Sequence, residues 1–221
     1  MSNVSLSKSS IAKKVVMALS GLFLILFLAQ HCFINSTSLF SPETFNSISH
    51  FMGYNPLVQF IIQPILIVGV VVHFVMGFVL QVQNTKARPI GYASFNGSAN
   101  SSWMSRNMII TGLVILAFLG LHFYDFWIPE MDYKYVSQNA PVADRYYEEL
   151  QHKFVDPIRT GIYLIANVLL ALHLWHGFAS SFQSVGFNNK YSKSLHTFTL
   201  AFAVFVPFMF CVIAVVHHFN H

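Results

Sequence analysis

Residues 12–33 read AKKVVMALSGLFLILFLAQHCF, an apolar run that contains a single imidazole near its end, that of His31. A helix needs about 20 predominantly apolar residues to cross the hydrocarbon core of a bilayer, and this run is long enough. It is longer than the h-region of a signal peptide, and no small-x-small cleavage site follows it. The stretch therefore predicts a retained transmembrane helix with a histidine buried in the membrane.

Four further segments are apolar over a similar length. The predicted spans are residues 12–33, 57–83, 108–128, 158–182 and 196–219. Of the 221 residues, 55% are hydrophobic and only 9% are charged, a composition that a water-soluble domain does not have. We expect an all-α transmembrane bundle of five helices that forms a single domain over residues 1–221, with kinks at Pro64 and Pro207 and no internal repeat.

Basic and acidic residues segregate between alternate connections. The N-terminal tail, the connection between the second and third spans and the connection between the fourth and fifth spans contain no acidic residue. Their basic residues are Lys8, Lys13, Lys14, Lys86, Arg88, Arg106, Lys190 and Lys193. The positive-inside rule then predicts a cytoplasmic N-terminus and an external C-terminus. The net charge of +4 reflects this topology and contact with anionic lipids, not nucleic-acid binding.

Each of the first four spans contains a histidine within a stretch of almost entirely apolar side chains: His31, His73, His122 and His173. At the helical rise, His31 and His122 lie about 5 Å below the external boundary, and the other two lie about 25 Å below it. An ionisable side chain at membrane depth indicates a functional site, although a hydrogen bond to a neighbouring helix explains any one histidine equally well. Two pairs at matched depths favour two stacked haems in a four-helix core, each with two histidine ligands.

We call His31 and His122 the outer pair, and His73 and His173 the inner pair. Glycines near the inner pair also favour two haems, because a porphyrin needs space that larger side chains would fill. These glycines are Gly21, Gly69, Gly77, Gly112 and Gly177. His176 lies one turn after His173 and competes with it; the depth match favours His173 as the ligand, with His176 as a neighbouring hydrogen-bonding group. Neither cysteine lies in a CxxCH motif, so the haems are expected to be non-covalent. The terminal HHFNH, residues 217–221, is predicted to be a solvated helix end.

The run ALSGLFLILFLAQH of residues 18–31, with His73, His122 and the LHLWHG stretch around His173, resembles the five-helix, two-haem cytochrome b anchor of succinate dehydrogenases and fumarate reductases. The resemblance covers essentially the whole chain. It implies two b haems, one held by His31 and His122 and the other by His73 and His173. It also implies a bacterial inner membrane, a flavoprotein and an iron–sulfur subunit on the cytoplasmic side, and electron exchange with menaquinone. Such a chain is the electron-transfer subunit and does not bind the dicarboxylate.

A quinone site needs polar groups close to a haem, since quinone reduction moves protons together with electrons. Glu43, His50 and Asp125 are the candidates at the outer end, and each is also explained as a solvated loop or helix-end group. Some two-haem fumarate reductases have a glutamate, thought to conduct protons, two residues before the ligand of the fourth helix. Here that position is Ala171, so the chain departs from the family at this point.

Three other functions remain open from the sequence. A two-haem anchor of a hydrogenase or formate dehydrogenase has the same chemistry but another catalytic partner. A membrane di-iron hydroxylase is suggested superficially by HHFNH, although such enzymes need several histidine boxes at one membrane face. A transporter needs broken helices and polar residues at a midplane site.

Overall fold

The computed structural model describes residues 10–86, 106–187 and 191–220. Within these ranges the protein is all-α, and five helical segments are long and apolar enough to cross a membrane: Ile11–Leu39, Val58–Lys86, Met108–Val136, Pro157–Ser184 and Ser192–Phe219. The predicted all-α transmembrane bundle is thereby confirmed, and the chain is a multi-pass protein whose outer surface faces lipid. Lys8, Arg88, Lys190 and His221 lie outside the described residues.

The α-helices are α1 (Ser10–Ser36), α2 (Pro42–Tyr54), α3 (Gln63–Lys86), α4 (Met108–His122), α5 (Ile128–Met131), α6 (Tyr146–Phe154), α7 (Pro157–Ser184) and α8 (Ser192–Phe219). A 3-10 turn, Thr37–Leu39, extends α1. Three wider π-helical segments lie in the second and third spans, at the end of the bundle that carries α2 and α6: Val58–Ile62, Phe123–Trp127 and Asp132–Val136. We call this the outer, or external, end after the orientation expected from the sequence.

Two of the π segments end two residues before a proline. Pro64 follows Val58–Ile62, and Pro129 follows Phe123–Trp127. Proline has no N–H to donate and its ring crowds the carbonyl four residues earlier, and the wider π turn makes room for both effects. The predicted change of helix geometry at Pro64 is thus a π turn, whereas α8 continues as an α-helix through Pro207.

The third span is longer than the sequence suggests. It was expected to end at residue 128, but helical turns continue to Val136. Glu130 and Lys134 therefore lie one turn apart on a helix, and their side chains form an ion pair with Nζ 2.5 Å from Oε1. The predicted end is wrong because Ile128–Pro129 resembles a helix terminus, while Pro129 in fact stands in the first turn of α5.

Two short helices in the external connections were not predicted. α2 begins with Ser41, whose hydroxyl accepts a 3.0 Å hydrogen bond from the Thr44 N–H, followed by Pro42. α6 has acidic residues in its first turn and basic residues in its last, which complements the helix dipole. Both helices cover the outer end of the bundle, where Phe45, Leu150 and Phe154 form an apolar cluster with Tyr163.

The fourth span ends in a tight turn that glycine makes possible. Gly186 has φ +89°, a left-handed conformation that side chains disfavour. The Phe187 N–H donates to the Phe182 carbonyl at 3.0 Å and the Gly186 N–H to the Gln183 carbonyl at 3.1 Å. These two bonds form a Schellman motif that ends α7 and directs the chain toward α8.

Packing of the spans defines a four-helix core. α1 packs against α3 and α7, α4 packs against α7, and α8 lies outside this group against α7 and α1. This arrangement leaves α1 diagonally opposite α4, and α3 diagonally opposite α7. No residue of α3 is buried, since α3 contacts little besides α1. The space between the diagonal helices is where the four histidines meet.

Candidate cofactor site

The structure brings the four membrane histidines together as two pairs. His31 on α1 and His122 at the end of α4 have ring centroids 5.8 Å apart, with their planes at 90°. His73 on α3 and His173 on α7 have ring centroids 6.4 Å apart, with their planes at 71°. Each pair joins diagonally opposite helices, and these are the pairs that the depth estimate predicts.

The spacing within each pair fits one metal ion between two imidazoles. An imidazole nitrogen binds a transition metal at roughly 2 Å, and the ring centroid lies about 1 Å behind that nitrogen, so two rings on opposite sides of the metal have centroids about 6 Å apart. The observed separations of 5.8 Å and 6.4 Å lie on either side of this value. The residues present therefore fit a haem iron with two axial histidines at both levels.

Two glycines place the inner pair relative to the outer pair. A Cβ built on Gly21 would lie 3.3 Å from His73 Cε1, and one built on Gly112 would lie 3.6 Å from His173 Cε1. Gly21 precedes His31 by ten residues, which corresponds to about 15 Å along a helix. The two pairs are thus stacked about 15 Å apart, and the two glycines bring the backbones of the helices that hold the outer pair close to the inner rings.

The other predicted glycines have different neighbours. A Cβ on Gly77 would meet Met17 Cε at 3.8 Å, and one on Gly177 would meet Met108 Cε at 3.4 Å. Gly69 faces the ring of Phe23, which a Cβ would approach to 2.7 Å. Gly69 therefore allows close packing of α1 and α3 and does not open space beside His73.

Two hydroxyl groups that the sequence analysis did not single out contact the inner pair. Ser20 Oγ lies 3.2 Å from His73 Nδ1, and Thr111 Oγ1 lies 3.1 Å from His173 Nδ1. Both hydroxyls come from the helices that hold the outer histidines, and each directly precedes one of the two glycines that face the rings.

These contacts reveal an internal repeat. Residues 17–31, MALSGLFLILFLAQH, and residues 108–122, MIITGLVILAFLGLH, are identical at six of fifteen positions, and residues 73–78 and 173–178 share the pattern HxxxGF. The hairpins α1–α3 and α4–α7 thus carry matching short stretches, and each supplies one histidine to each pair. The expectation of no internal repeat overlooked this match, because the residues between the matching positions differ and include buried ones such as Ala18 and Ile25.

The outer pair has aromatic surroundings and no hydroxyl partner. Rings within 6.3 Å of either histidine, measured between centroids, belong to Phe27, Phe118, Phe126, Tyr163 and Phe210. His31 Nδ1 lies 3.4 Å from the amide nitrogen of Asn35. His122 Nδ1 is buried and has no hydrogen-bond partner among the described residues. The two pairs therefore differ in what holds their rings.

Asp125, one of the predicted quinone candidates, lies one turn beyond His122 and is only 1% exposed. Its Oδ2 accepts a 2.9 Å hydrogen bond from the Tyr163 hydroxyl, and its Oδ1 lies 3.3 Å from Arg159 Nε. Both partners belong to α7. The carboxylate thus connects the third span to the fourth at the level of the outer pair.

The other two quinone candidates lie on α2. Glu43 is exposed, and its pKa is lowered by its own backbone N–H and by the hydroxyl of Ser41. His50 packs against Tyr54, with ring centroids 4.7 Å apart, and its Nδ1 is buried without a hydrogen-bond partner among the described residues. No hydrogen bond or ion pair within the described part of the chain joins any two of Glu43, His50 and Asp125.

Beside His50 lies a group of charges that we call the external ionic cluster: the poorly exposed Glu130, Lys134 and Arg145, and the exposed Glu149. Glu130 pairs with both Lys134 and Arg145, and Arg145 also pairs with Glu149 at 2.7 Å. Tyr54 and Tyr146 line the cluster. Burial, followed by the negative charge of Glu130, raises the pKa of both tyrosines.

Three further histidines, His176, His217 and His218, have hydrogen-bond partners within the protein. His176 Nε2 lies 3.3 Å from the Ser180 hydroxyl on its own helix. His217 is fully buried, with Nε2 2.9 Å from Ser38 Oγ, so the predicted solvated helix end is wrong at this residue: the 3-10 turn and α6 cover it. His218 Nδ1 lies 2.7 Å from the Phe154 carbonyl. Within residues 10–86, 106–187 and 191–220, no three His, Cys, Asp or Glu side chains are grouped to hold a metal ion.

Comparison with protein families, with curated proteins and with solved structures finds no match to this chain. The fold and the geometry of the histidine pairs are therefore the observations that bear on its function.

Proposed function

We propose that this chain is the membrane-anchor cytochrome b of a succinate:quinone oxidoreductase, which passes electrons between an iron–sulfur subunit and menaquinone. The observation that carries the proposal is the pair of diagonal histidine contacts, with ring centroids 5.8 Å and 6.4 Å apart at two levels of one four-helix core. Two haems b, one at each level, are the group that this arrangement suits.

With both axial positions taken by imidazole, haem iron has no open site and supplies one-electron transfer. The protein's own residues hold the two ligand rings of each pair on opposite helices and keep water away from them with aromatic side chains. Gly21 and Gly112 let the backbones of two helices approach the rings of the inner pair. The chain then provides two electron-carrying sites that together span much of the bilayer.

The proposed topology also places the partner subunits and the quinone site at opposite ends of the bundle. The N-terminus and the basic inner ends, which include Arg106 and Lys193, face the cytoplasm of a bacterium, where the iron–sulfur subunit and flavoprotein dock. Menaquinone reacts near the outer pair. His50 is the candidate polar group there, because its Nδ1 is buried without a partner among the described residues, whereas Asp125 has Arg159 3.3 Å from Oδ1, without a hydrogen bond, and the Tyr163 hydroxyl on Oδ2.

Haem content tests the proposal. The purified protein should contain two acid-extractable haems b per chain. His173→Ala should remove one haem, and His176→Ala, one turn away on the same helix, should retain both. A content near one haem in the unaltered protein, or loss of haem from the His176 variant alone, would contradict the ligand assignment.

The partner subunits test the rest of the function. Purification of the intact complex should recover a flavoprotein and an iron–sulfur protein together with succinate:quinone activity. Recovery of a hydrogenase or formate dehydrogenase subunit would mean that the chain is a two-haem anchor of a different catalytic complex.

A further inference from the structure

We infer that Ser20 and Thr111 are positioning residues for the inner histidine pair: their hydroxyls fix the tautomer and orientation of His73 and His173 and so set the reduction potential of the inner haem selectively. The inference rests on the proposed function. It adds to it by naming residues, other than the ligands, that make the two haem sites different.

The direction of the hydrogen bonds follows from the single proton of each hydroxyl. Ser20 Oγ donates to the Met17 carbonyl at 2.9 Å, so toward His73 it acts as an acceptor. Thr111 Oγ1 is likewise placed to donate to the backbone of its own helix, with the Met108 carbonyl at 3.1 Å. With the hydroxyl protons used in this way, we assign the proton of both histidines to Nδ1.

This tautomer is the one that iron ligation requires. With the proton on Nδ1, the lone pair of each ring is on Nε2, the nitrogen that becomes an axial ligand. A ligand imidazole that donates its other N–H is held in orientation and made more basic, and a more basic ligand favours the oxidised metal. The two hydroxyls are thus expected to lower the reduction potential of the haem between His73 and His173.

The hydroxyls are placed for this role by their sequence neighbours. Each is followed by a glycine, Gly21 or Gly112, that brings the helix backbone close to the same ring. The outer pair lacks the arrangement, because His122 Nδ1 has no hydrogen-bond partner among the described residues and His31 is approached by the Asn35 amide. Removal of either hydroxyl should therefore affect one haem only.

Ser181 offers a matched control. Its hydroxyl is also close to Gly21, where a Cβ would lie 3.4 Å from it, but it donates to the Gly177 carbonyl at 2.9 Å. Ser181→Ala therefore removes a hydroxyl from the same region without removing a bond to an inner histidine.

The experiment is a redox titration of the purified complex, combined with haem quantification and low-temperature electron paramagnetic resonance spectra. Ser20→Ala and Thr111→Val should each raise the midpoint potential of one haem and alter its ligand-field signal while the other haem is unchanged. Ser20→Thr and Thr111→Ser should restore the original values, and Ser181→Ala should leave both haems as they were. Selective loss of one haem from Ser20→Ala, with retention in Ser20→Thr, also supports the inference.

Unchanged potentials and spectra in both hydroxyl-deletion variants would overturn the inference, as would an equal shift of both haems or an equal effect of Ser181→Ala. These results leave the proposed function intact, because the unaltered protein still contains two haems. An unaltered protein without haem would instead refute the proposed function itself.

Discussion

Gly21 on α1 faces the ring of His73 on α3, and a Cβ at Gly21 would lie 3.3 Å from His73 Cε1. Such a contact is tight for a methyl group and leaves no room for a longer side chain. The first span therefore approaches the inner pair with its backbone, which keeps open the space around the ring that a macrocycle would occupy.

Gly21→Leu should consequently abolish binding of the inner haem and leave the outer haem in place. The reason is steric, since a branched side chain would occupy the position next to the His73 ring. Haem content should fall from two to one per chain, with the spectrum of the outer haem unchanged. Gly120→Leu is the control, because a Cβ at Gly120 meets nothing within 4 Å, and both haems should remain. Retention of two haems by the Gly21 variant would contradict this reasoning.

Removal of Arg159 should lower the free energy of unfolding more than removal of its ion-pair partner Asp125. The side chain of Asp125 is 0% exposed and that of Arg159 is 29% exposed, so an unpaired Asp125 cannot reach water whereas an unpaired Arg159 can. We expect Arg159→Gln to cost about 3 kcal/mol and Asp125→Asn about 1 kcal/mol, and the double variant to be more stable than Arg159→Gln alone. Thermal unfolding in detergent measures all three. Equal costs for the single variants would mean that Arg159 is buried as effectively as Asp125.

Glu130 should be the most important residue of the external ionic cluster. It contacts both Lys134 and Arg145, whose side chains are 5% and 12% exposed. Glu130→Gln leaves Lys134 without a carboxylate partner and Arg145 with only the exposed Glu149. The change should cost about 3 kcal/mol, at the low end for a buried pair because some solvent reaches the cluster. Glu43→Gln, an exposed site on α2, should change the unfolding temperature little. A similar loss in both variants would contradict a special role for the cluster.

Tyr146 should make the external region sensitive to alkaline pH. Burial and the charge of Glu130 raise its pKa above the ordinary value of about 10. Because the folded-state pKa is the higher one, the contribution of Tyr146 to stability is present in full below about pH 10 and is lost as the pH rises toward the folded-state pKa. The stability difference between the unaltered protein and Tyr146→Phe should therefore shrink above pH ~10 by about 1.4 kcal/mol per pH unit. A stability difference that stays constant with pH would refute the raised pKa of Tyr146.

The positions of the spans and the depths of His31, His73, His122 and His173 follow from the sequence alone. Hydropathy is a property of consecutive residues, and distance along a helix is proportional to the number of residues, so both can be estimated without knowledge of helix packing. The same local reasoning failed at residue 128, where Pro129 suggested an end, and it overlooked α2 and α6, whose start signals lie in short polar connections.

Tertiary structure alone decided what surrounds the histidines. Ser20 meets a residue 53 positions away and Thr111 one 62 positions away, and nothing local in either helix indicates which hydroxyl will face which ring. The engagement of Asp125 by α7 and the burial of His217 under the 3-10 turn have the same origin. Sequence periodicity places a side chain along its own helix, but its hydrogen-bond partner depends on how the helices pack against one another.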